Sequence, residues 1–271
     1  MANSPGHLPH PNEDFVGAVP GAVVLLDGAG IRGTEHICHH GVAWFSHTLG
    51  SALLSRLARQ SQSDPAAVLA DAIDEVADSH RHTCDIANPS SPQATVAIVQ
   101  FAEATVNFLV LADAYVILEQ SDGQLRVVTD PREVTNRVEC TRTLEGLPAG
   151  TPEFDAARDA AILKLQARRN TLDGYWIAKD DPAAAMEAVT GVAPIATLRS
   201  ATLMSNGASR FVDPYGLSDW LTTVRLLRTG GPVALLAGLR QAEANQAAPV
   251  APLPGFSKSD DATVAYCESH G

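Results

Sequence analysis

Long apolar runs are missing from the sequence, and its first residues hold no apolar stretch. No segment approaches the ~20 consecutive apolar residues that a membrane-spanning helix needs. The opening residues, MANSPGHLPHPNED, lack the apolar core of a secretory signal peptide. We therefore expect a cytoplasmic protein with no membrane partner.

Positive charge is also scarce. The 271 residues include 19 Lys and Arg against 31 Asp and Glu, which gives a formal net charge of −12. Such a chain repels the phosphate backbone of DNA and RNA, so we expect no nucleic-acid partner. The sequence carries no indication of an oligomeric state.

Cysteine is sparse and forms no Cys-x-x-Cys pair. The four cysteines are scattered: Cys38, Cys84, Cys140 and Cys267. This spacing favours free thiols in a reducing compartment over a disulfide framework or a zinc site. Four histidines fall in one predicted helix: His36, His39, His40 and His47. Although His36 and His40 have metal-binding spacing, we interpret all four as a wet or partly buried helix face and predict no Cys/His metal cluster.

Apolar periodicity divides the chain into groups of strands and helices. Short β-branched or aromatic runs predict strands at residues 13–18, 22–27, 95–101, 105–111, 114–118, 124–128, 175–178, 196–204 and 262–267. Helical spacing and start signals predict helices at residues 36–60, 65–80, 151–168, 182–189, 216–229 and 231–245.

These elements predict a single α+β domain over residues 1–271 in which two packed sheets are covered by helices. Residues 1–11 are predicted to be an irregular lead-in, and residues 129–152 a polar segment without periodicity. The four strands between 95 and 128 are predicted to form one antiparallel meander, because their connections are short.

One predicted strand ends in a carboxylate followed by glycine. The run from Ala22 to Leu26 is typical of a buried strand, and Asp27-Gly28 follows it directly. A hairpin with the preceding strand would bring Asp14 to the same end of the sheet. Two adjacent carboxylates are costly unless a cation or a shared proton lies between them. On these residues alone, an ordinary Asp-Gly turn stays an open alternative.

Three later strand ends repeat this pattern of Asp or Asn beside a small or acidic residue. They are found at Asp113, at Asn206-Gly207 and at Asp260-Asp261. Carboxylate and amide oxygens are the ligands that Mg²⁺ and Mn²⁺ prefer. The four strand ends together therefore indicate a site for a hard divalent cation.

The order of these motifs resembles that of the metal-dependent protein phosphatases of the PPM family, type 2C. Asn12-Glu13-Asp14 followed by Asp27-Gly28-Ala29-Gly30 is similar to the opening of bacterial members. Later segments resemble further family motifs in the family's order: Gln93 to Ala97, Leu111 to Ala114, Leu203 to Gly207 and Ser259 to Val264. Each motif is weak alone, but their order from residue 12 to 267 is specific. Residues 205–266 also resemble the actinobacterial branch.

The resemblance implies a four-layer α-β-β-α sandwich, two antiparallel sheets flanked by helix pairs, with two Mg²⁺ or Mn²⁺ ions at one end. It implies that Asp27 bridges both ions, that Gly28 offers its carbonyl and that Asp260 binds one ion directly. Asp14 would hold water in the outer shell, and Asp113 would bind a third, looser ion. The implied reaction is hydrolysis of phosphoserine or phosphothreonine in a protein substrate by metal-activated water.

Two positions depart from the family pattern. Asn206 replaces an Asp; it keeps an oxygen ligand for the metal but loses a negative charge, so we expect weaker metal binding and reduced activity. The segment before the first motif lacks the family's phosphate-binding Arg, and His10 is the predicted substitute, with Arg32 or Arg168-Arg169 as further candidates. The alternative function is a catalytically impaired regulatory or phosphopeptide-binding module. The ordered motifs disfavour a third interpretation, a generic α+β domain with acidic turns.

Overall fold

The computed structural model describes residues 1–6, 11–30, 34, 36–245 and 259–268. Its strands are β1 (Ala2–Ser4), β2 (Phe15–Val19), β3 (Ala22–Ala29), β4 (Gln93–Phe101), β5 (Thr105–Leu111), β6 (Tyr115–Gln120), β7 (Leu125–Val128), β8 (Val189–Pro194), β9 (Leu198–Met204) and β10 (Ala262–Glu268). Its helices are α1 (Gly41–Arg59), α2 (Pro65–His80), α3 (Arg132–Thr141), α4 (Pro152–Gln166), α5 (Asn206–Ser209) and α6 (Trp220–Asn245).

The strands form two five-stranded antiparallel sheets. The first sheet has the order β2-β3-β4-β5-β8, and the second has the order β1-β10-β9-β6-β7. Alternation along β3 explains how the sheets pack, since successive side chains of a strand point to opposite faces. Val23 and Leu25 join the core between the two sheets. Val24 and Leu26 join the core beneath α1 and α2.

Helices cover both outer faces of this pair of sheets. Leu49 and Leu53 of α1, together with Leu69 of α2, are fully buried against the first sheet. Leu235 and Leu239 of α6 are fully buried against the second sheet. The predicted four-layer α-β-β-α sandwich is therefore confirmed. Among the described residues, no helix combines the length and the apolar character needed to cross a membrane.

Two helix predictions need correction at their ends. The helix predicted from residue 36 begins at Gly41, whose φ of +79° lies outside helical geometry, so His36, His39 and His40 precede α1. The break predicted between residues 229 and 231 is present, because Gly231 has a φ of +72° inside α6. The segment before that break begins at Trp220 rather than at residue 216.

The predicted single meander is wrong, and the reason bears on the site. Strands β4 and β5 pair in the first sheet, whereas β6 and β7 pair in the second. The chain crosses from one sheet to the other between Leu111 and Tyr115, where Ala112 adopts a φ of +62°. Asp113 therefore lies in a sheet-to-sheet crossing and not in a hairpin turn.

Other segments were mispredicted because their patterns are short. Residues 2–4 form β1 instead of an irregular lead-in, and they pair with β10 at the edge of the second sheet. The segment 129–152 contains α3, while residues 182–189 split into a 3-10 turn (Pro182–Glu187) and the start of β8. Residues 175–178 make isolated bridges instead of a strand, and the Ile177 backbone N–H donates to the side chain of Asn170. The loop predicted for 246–259 lies almost wholly outside the described residues.

Candidate functional site

The acidic strand ends converge at one end of the sandwich. Asp27, Asp113, Asn206 and Asp260 line a single cavity of about 750 Å³, together with Gly28. Asp27 lies near the end of β3, Asp113 in the crossing between the sheets, Asn206 at the start of α5 and Asp260 just before β10. The two sheets thus bring together residues that are up to 233 positions apart in the chain.

Asn206 connects two of the carboxylates by hydrogen bonds. Its backbone N–H donates to Asp27 Oδ2 at 3.2 Å. Its side-chain Nδ2 donates to Asp113 Oδ2 at 2.8 Å. The amide therefore acts as a hydrogen-bond donor between groups that would otherwise repel each other.

The neighbouring acids Asp260 and Asp261 have different roles. Asp260 lines the cavity and pairs with the fully buried Arg210, whose guanidinium lies 2.6 Å from Asp260 Oδ2. Both carboxylate oxygens of Asp261 accept backbone N–H groups, from Gly6 at 2.7 Å and from Glu13 at 2.6 Å. Asp261 therefore anchors the N-terminal segment beside the cavity.

Asp14 is buried behind the cavity, at 1% exposure, immediately before β2. Its backbone carbonyl lies 3.1 Å from His47 Nε2, which holds the residue against α1. Neither side-chain oxygen of Asp14 has a hydrogen-bond partner in the described part of the chain. A buried carboxylate without partners is costly, so it needs water, a proton or a cation.

Burial and mutual repulsion disfavour the ionised form of the carboxyl groups around the cavity. Burial raises the pKa of Asp14 to about 7. The nearby hydroxyls of Thr263 and Ser205 oppose this rise, whereas the charges of Asp261 and Asp260 add to it. Burial also raises the pKa of Asp27 well above its ordinary value, with Asp14, Asp260 and Asp113 adding repulsion. These shifts mean that ionising the whole cluster is unfavourable unless positive charge is supplied.

Glycine is required where the backbone approaches the cavity closely. A Cβ atom at Gly28 would lie 2.5 Å from the carbonyl oxygen of Glu13 and 2.8 Å from Val42. A Cβ atom at Gly207 would lie 1.9 Å from the carbonyl oxygen of Asp261. Close packing therefore requires glycine at both positions, and the absence of a side chain at Gly28 leaves its backbone accessible to the cavity.

Two arginines provide positive charge on the cavity wall. Arg137 of α3 lies 3.7 Å from Asp113 Oδ2 and 3.2 Å from Glu133. Arg169 donates to Tyr175 Oη at 2.7 Å and to the Pro89 carbonyl. Both arginines line the cavity. A guanidinium at such a position can bind a phosphate group with two parallel hydrogen bonds.

The donor set suits a hard divalent cation. It consists of carboxylate, amide and backbone carbonyl oxygens, which Mg²⁺ and Mn²⁺ prefer over softer ligands. The partnerless oxygens of Asp14 and the raised pKa of Asp27 are both relieved by added positive charge. The residues present therefore fit such an ion.

The protein-family comparison decides the assignment. The family model described as protein phosphatase 2C matches residues 10–240, most of the chain. The chain belongs to the protein phosphatase 2C family. No match was found among curated proteins.

Solved structures share the fold of this protein phosphatase 2C member. Stp1, a serine/threonine phosphatase from Staphylococcus aureus, aligns with a TM-score of 0.59 at 15% identity over 100% of this chain and 94% of Stp1. The catalytic domain of PstP, crystallised in complex with two manganese ions, aligns with a TM-score of 0.55 at 15% identity over 98% and 95%. MsPP from Mycobacterium smegmatis, in complex with cacodylate, aligns with a TM-score of 0.54 at 18% identity over 98% and 95%. The assignment to the actinobacterial branch stays a prediction.

Sequence motifs located most, but not all, of the cavity of this protein phosphatase 2C member. Arg137 and Glu133 were missed because they lie in α3, in a segment without apolar periodicity; their i, i+4 spacing was the available signal. Of the arginines considered as phosphate anchors, Arg169 lines the cavity, whereas Arg168 pairs with Glu139. The predicted anchor His10 lies outside the described residues, as does Arg32.

Proposed function

We propose that the chain hydrolyses phosphoserine or phosphothreonine monoesters in protein substrates, with two Mg²⁺ or Mn²⁺ ions as cofactors. The observation that carries this proposal is the convergence of Asp27, Asp113, Asn206 and Asp260 on one cavity. Membership of the protein phosphatase 2C family and the fold shared with manganese-bound PstP support it. The absence of a nucleic-acid or membrane partner and a cytoplasmic location stay predictions.

Bound ions would supply Lewis-acid polarisation of the phosphoryl oxygen and activation of the attacking water. The carboxylates of Asp27 and Asp260 and the backbone carbonyl of Gly28 would hold these ions, with Asp27 shared between them as the family resemblance implies. The partnerless carboxylate of Asp14 would accept hydrogen bonds from water in the outer shell. Asp113 would hold a third, looser ion. No protein nucleophile is required in this scheme.

Arg137 is our proposed phosphate anchor. Arg137 lines the cavity. Its guanidinium is oriented by Asp113 in the sheet crossing and by Glu133 in α3. A guanidinium stays charged at all relevant pH values, whereas a neutral histidine binds phosphate more weakly. His10 remains a second candidate for this role on the strength of its sequence position alone.

We propose that Asn206 reduces activity without abolishing it. The side chain replaces a charged ligand by a neutral one, and its Nδ2 is engaged with Asp113. Arg210 acts in the same direction, because it pairs with Asp260 and competes with a metal for that carboxylate. These two contacts also favour the alternative function, an impaired module that binds phosphopeptides or regulates a partner.

Hydrolysis of an aryl phosphate across a Mn²⁺ titration tests the proposal. The wild type should show weak activity with a high metal requirement, and Asn206→Asp should show higher activity at lower Mn²⁺. Asp27→Ala should be inactive, whereas Asp71→Ala, which removes an exposed carboxylate of α2, should behave like the wild type. An inactive wild type that Asn206→Asp rescues would instead establish the impaired module.

A further inference from the structure

A cluster of sulfur and nitrogen atoms lies beside the carboxylate cavity and shares none of its carboxylates. It joins the turn before α1, which carries Cys38 and His40, to the loop after α2, which carries Cys84. Cys84 Sγ lies 2.9 Å from Cys38 Sγ and 3.3 Å from His40 Nδ1. Cys38 Sγ lies 3.7 Å from His40 Nδ1. The three donor atoms therefore face one point, although two of the residues are separated from Cys84 by more than forty positions.

A fourth donor lies beside this group. His39 Nδ1 is 3.9 Å from Cys84 Sγ, and the rings of His39 and His40 are 4.0 Å apart. Only the donors of Cys38, His40 and Cys84 all lie within 4.8 Å of one another, so His39 would have to move inward to complete the set. Zinc binds thiolates at about 2.3 Å and imidazoles at about 2.0 Å, so tetrahedral ligand atoms lie roughly 3.3–3.8 Å apart. The sulfur-to-nitrogen distances of 3.3, 3.7 and 3.9 Å are close to that range. The two sulfur atoms are 2.9 Å apart and would have to separate by about 0.9 Å around an ion.

The backbone holds both cysteines in place. The N–H groups of Ile37 and Cys38 donate to the Thr34 carbonyl, and the Cys84 N–H donates to the His80 carbonyl at 3.0 Å. The Asp85 N–H then donates to the Ile37 carbonyl at 2.9 Å, which ties the two segments together. The fold thus fixes the backbone of both cysteines and the distance between the two segments.

Aromatic packing orients the histidine. The His40 ring stacks on Trp44 at 4.2 Å between centroids and meets the edge of His80 at 5.9 Å. Cys38 is 3% exposed, so its thiol faces the interior. Packing against these two rings restricts the orientation of the His40 imidazole.

A disulfide between Cys38 and Cys84 is the competing explanation. It accounts for the short distance between the two sulfur atoms, but not for two imidazole Nδ1 atoms that lie within 3.9 Å of Cys84 Sγ. A soft metal ion uses all four donors. Thiolate and imidazole ligands select zinc over Mg²⁺ and Mn²⁺, which prefer the oxygen ligands of the carboxylate site.

We propose that Cys38, His40 and Cys84 bind a structural Zn²⁺ ion and that His39 completes a closed, tetrahedral Cys₂His₂ site. Binding releases two thiol protons, because zinc coordinates thiolates. Cys38 also lines the carboxylate cavity, so the ion would brace one wall of that cavity. The proposal does not depend on phosphatase activity, and its readouts are metal content and spectra.

The test begins with the full wild-type chain loaded with Co²⁺, which reports thiolate ligation by a near-ultraviolet charge-transfer band. We expect that band, and about one zinc per chain after expression with zinc, as a closed four-ligand site predicts. Asp27→Ala should keep both signals, because an oxygen site has no thiolate ligand. Cys38→Ser and Cys84→Ser should lose the band and the zinc, whereas Cys267→Ser, a half-buried cysteine outside the cluster, should keep them.

Two outcomes overturn the proposal without relying on a variant that folds poorly. One is a wild-type chain that binds no zinc and shows no thiolate band with Co²⁺. The other is a wild-type chain in which alkylation under denaturing conditions, without reductant, finds Cys38 and Cys84 joined in a disulfide. His39→Ala should bind zinc at least tenfold more weakly than the wild type, and unchanged affinity would remove His39 from the ligand set.

Discussion

Replacing Asn206 by Asp should destabilise the metal-free protein, and bound Mn²⁺ should offset most of that loss. The wild-type amide donates from Nδ2 to Asp113 Oδ2 at 2.8 Å. Asp at this position has no donor when ionised, so two carboxylates would face each other. Asp27 lies on the other side, where it accepts the backbone N–H of residue 206. The substitution therefore adds negative charge to a cluster that already disfavours it.

The size of the effect follows from two terms. Loss of a hydrogen bond to a charged group costs about 1.5–3 kcal/mol. Repulsion between unit charges about 4 Å apart costs about 4 kcal/mol at an effective dielectric constant near 20. Uptake of a proton by one carboxyl limits this second term, so we expect a net loss of about 3 kcal/mol. At roughly 2–4 °C per kcal/mol, Tm should fall by about 6–12 °C in EDTA.

Mn²⁺ should offset most of this loss of stability. The added carboxylate becomes a charged ligand, and a gain of about 1.5–3 kcal/mol tightens Mn²⁺ binding roughly tenfold to a hundredfold. Thermal unfolding in EDTA and in a Mn²⁺ series, together with calorimetric titration, measures both effects. Asn206→Ala is the control, because it removes the hydrogen bond without adding charge and should not bind Mn²⁺ more tightly. An Asn206→Asp variant with unchanged Tm in EDTA, or with no gain in Mn²⁺ affinity, would refute the reasoning.

Three further predictions concern the phosphate anchor, the core and a buried ion pair. Arg137→Lys should raise KM for an aryl phosphate about tenfold with a smaller change in kcat, because Lys cannot form a bidentate contact; an unchanged KM would contradict this role. Leu49→Ala, at a fully buried position of α1, should lower the free energy of unfolding by about 2–5 kcal/mol, whereas urea titration of Leu172→Ala, at 91% exposure, should show little change. Burial opposes ionisation of Glu119, but hydrogen bonds from Arg228 and Ser200 outweigh it and lower the pKa. The stabilisation from this pair is therefore present above the unfolded pKa, near 4.5, and is lost as pH falls through the folded pKa. The free energy of unfolding of Glu119→Gln should differ most from that of the wild type near neutral pH. A difference that grows on acidification would contradict the assignment.

The strand ends that carry the carboxylates could be predicted because their signals are local. The run from Ala22 to Leu26 is buried as expected, and the hairpin pairs Phe15 with Leu26, which brings Asp14 and Asp27 to one end of the sheet. Gly28 is needed there because a side chain would meet the Glu13 carbonyl. Each of these properties depends on a few consecutive residues, which is why pattern and turn chemistry were sufficient.

Features that depend on long-range packing could not be predicted in this way. The crossing at Asp113 looks like a tight hairpin in sequence, because nothing in a three-residue connection states which sheet the next strand joins. Residues 38 and 84 likewise meet only because α1 and α2 pack side by side on the first sheet. The sequence predicts no Cys/His cluster, and this prediction was wrong, because Cys38, His40 and Cys84 form such a cluster.

The partners of the carboxylates in the cavity affect how much Mn²⁺ the protein needs. Asp260 is paired with Arg210, and Asp113 is shared between Arg137 and Asn206. Each contact stabilises the cluster without metal and must weaken when an ion binds the same oxygen. Restoring Asp at position 206 removes one of these competitors, but the buried Arg210 continues to hold Asp260. We therefore expect Asn206→Asp to bind Mn²⁺ more tightly than the wild type and still to need more metal than a relative without that arginine pair.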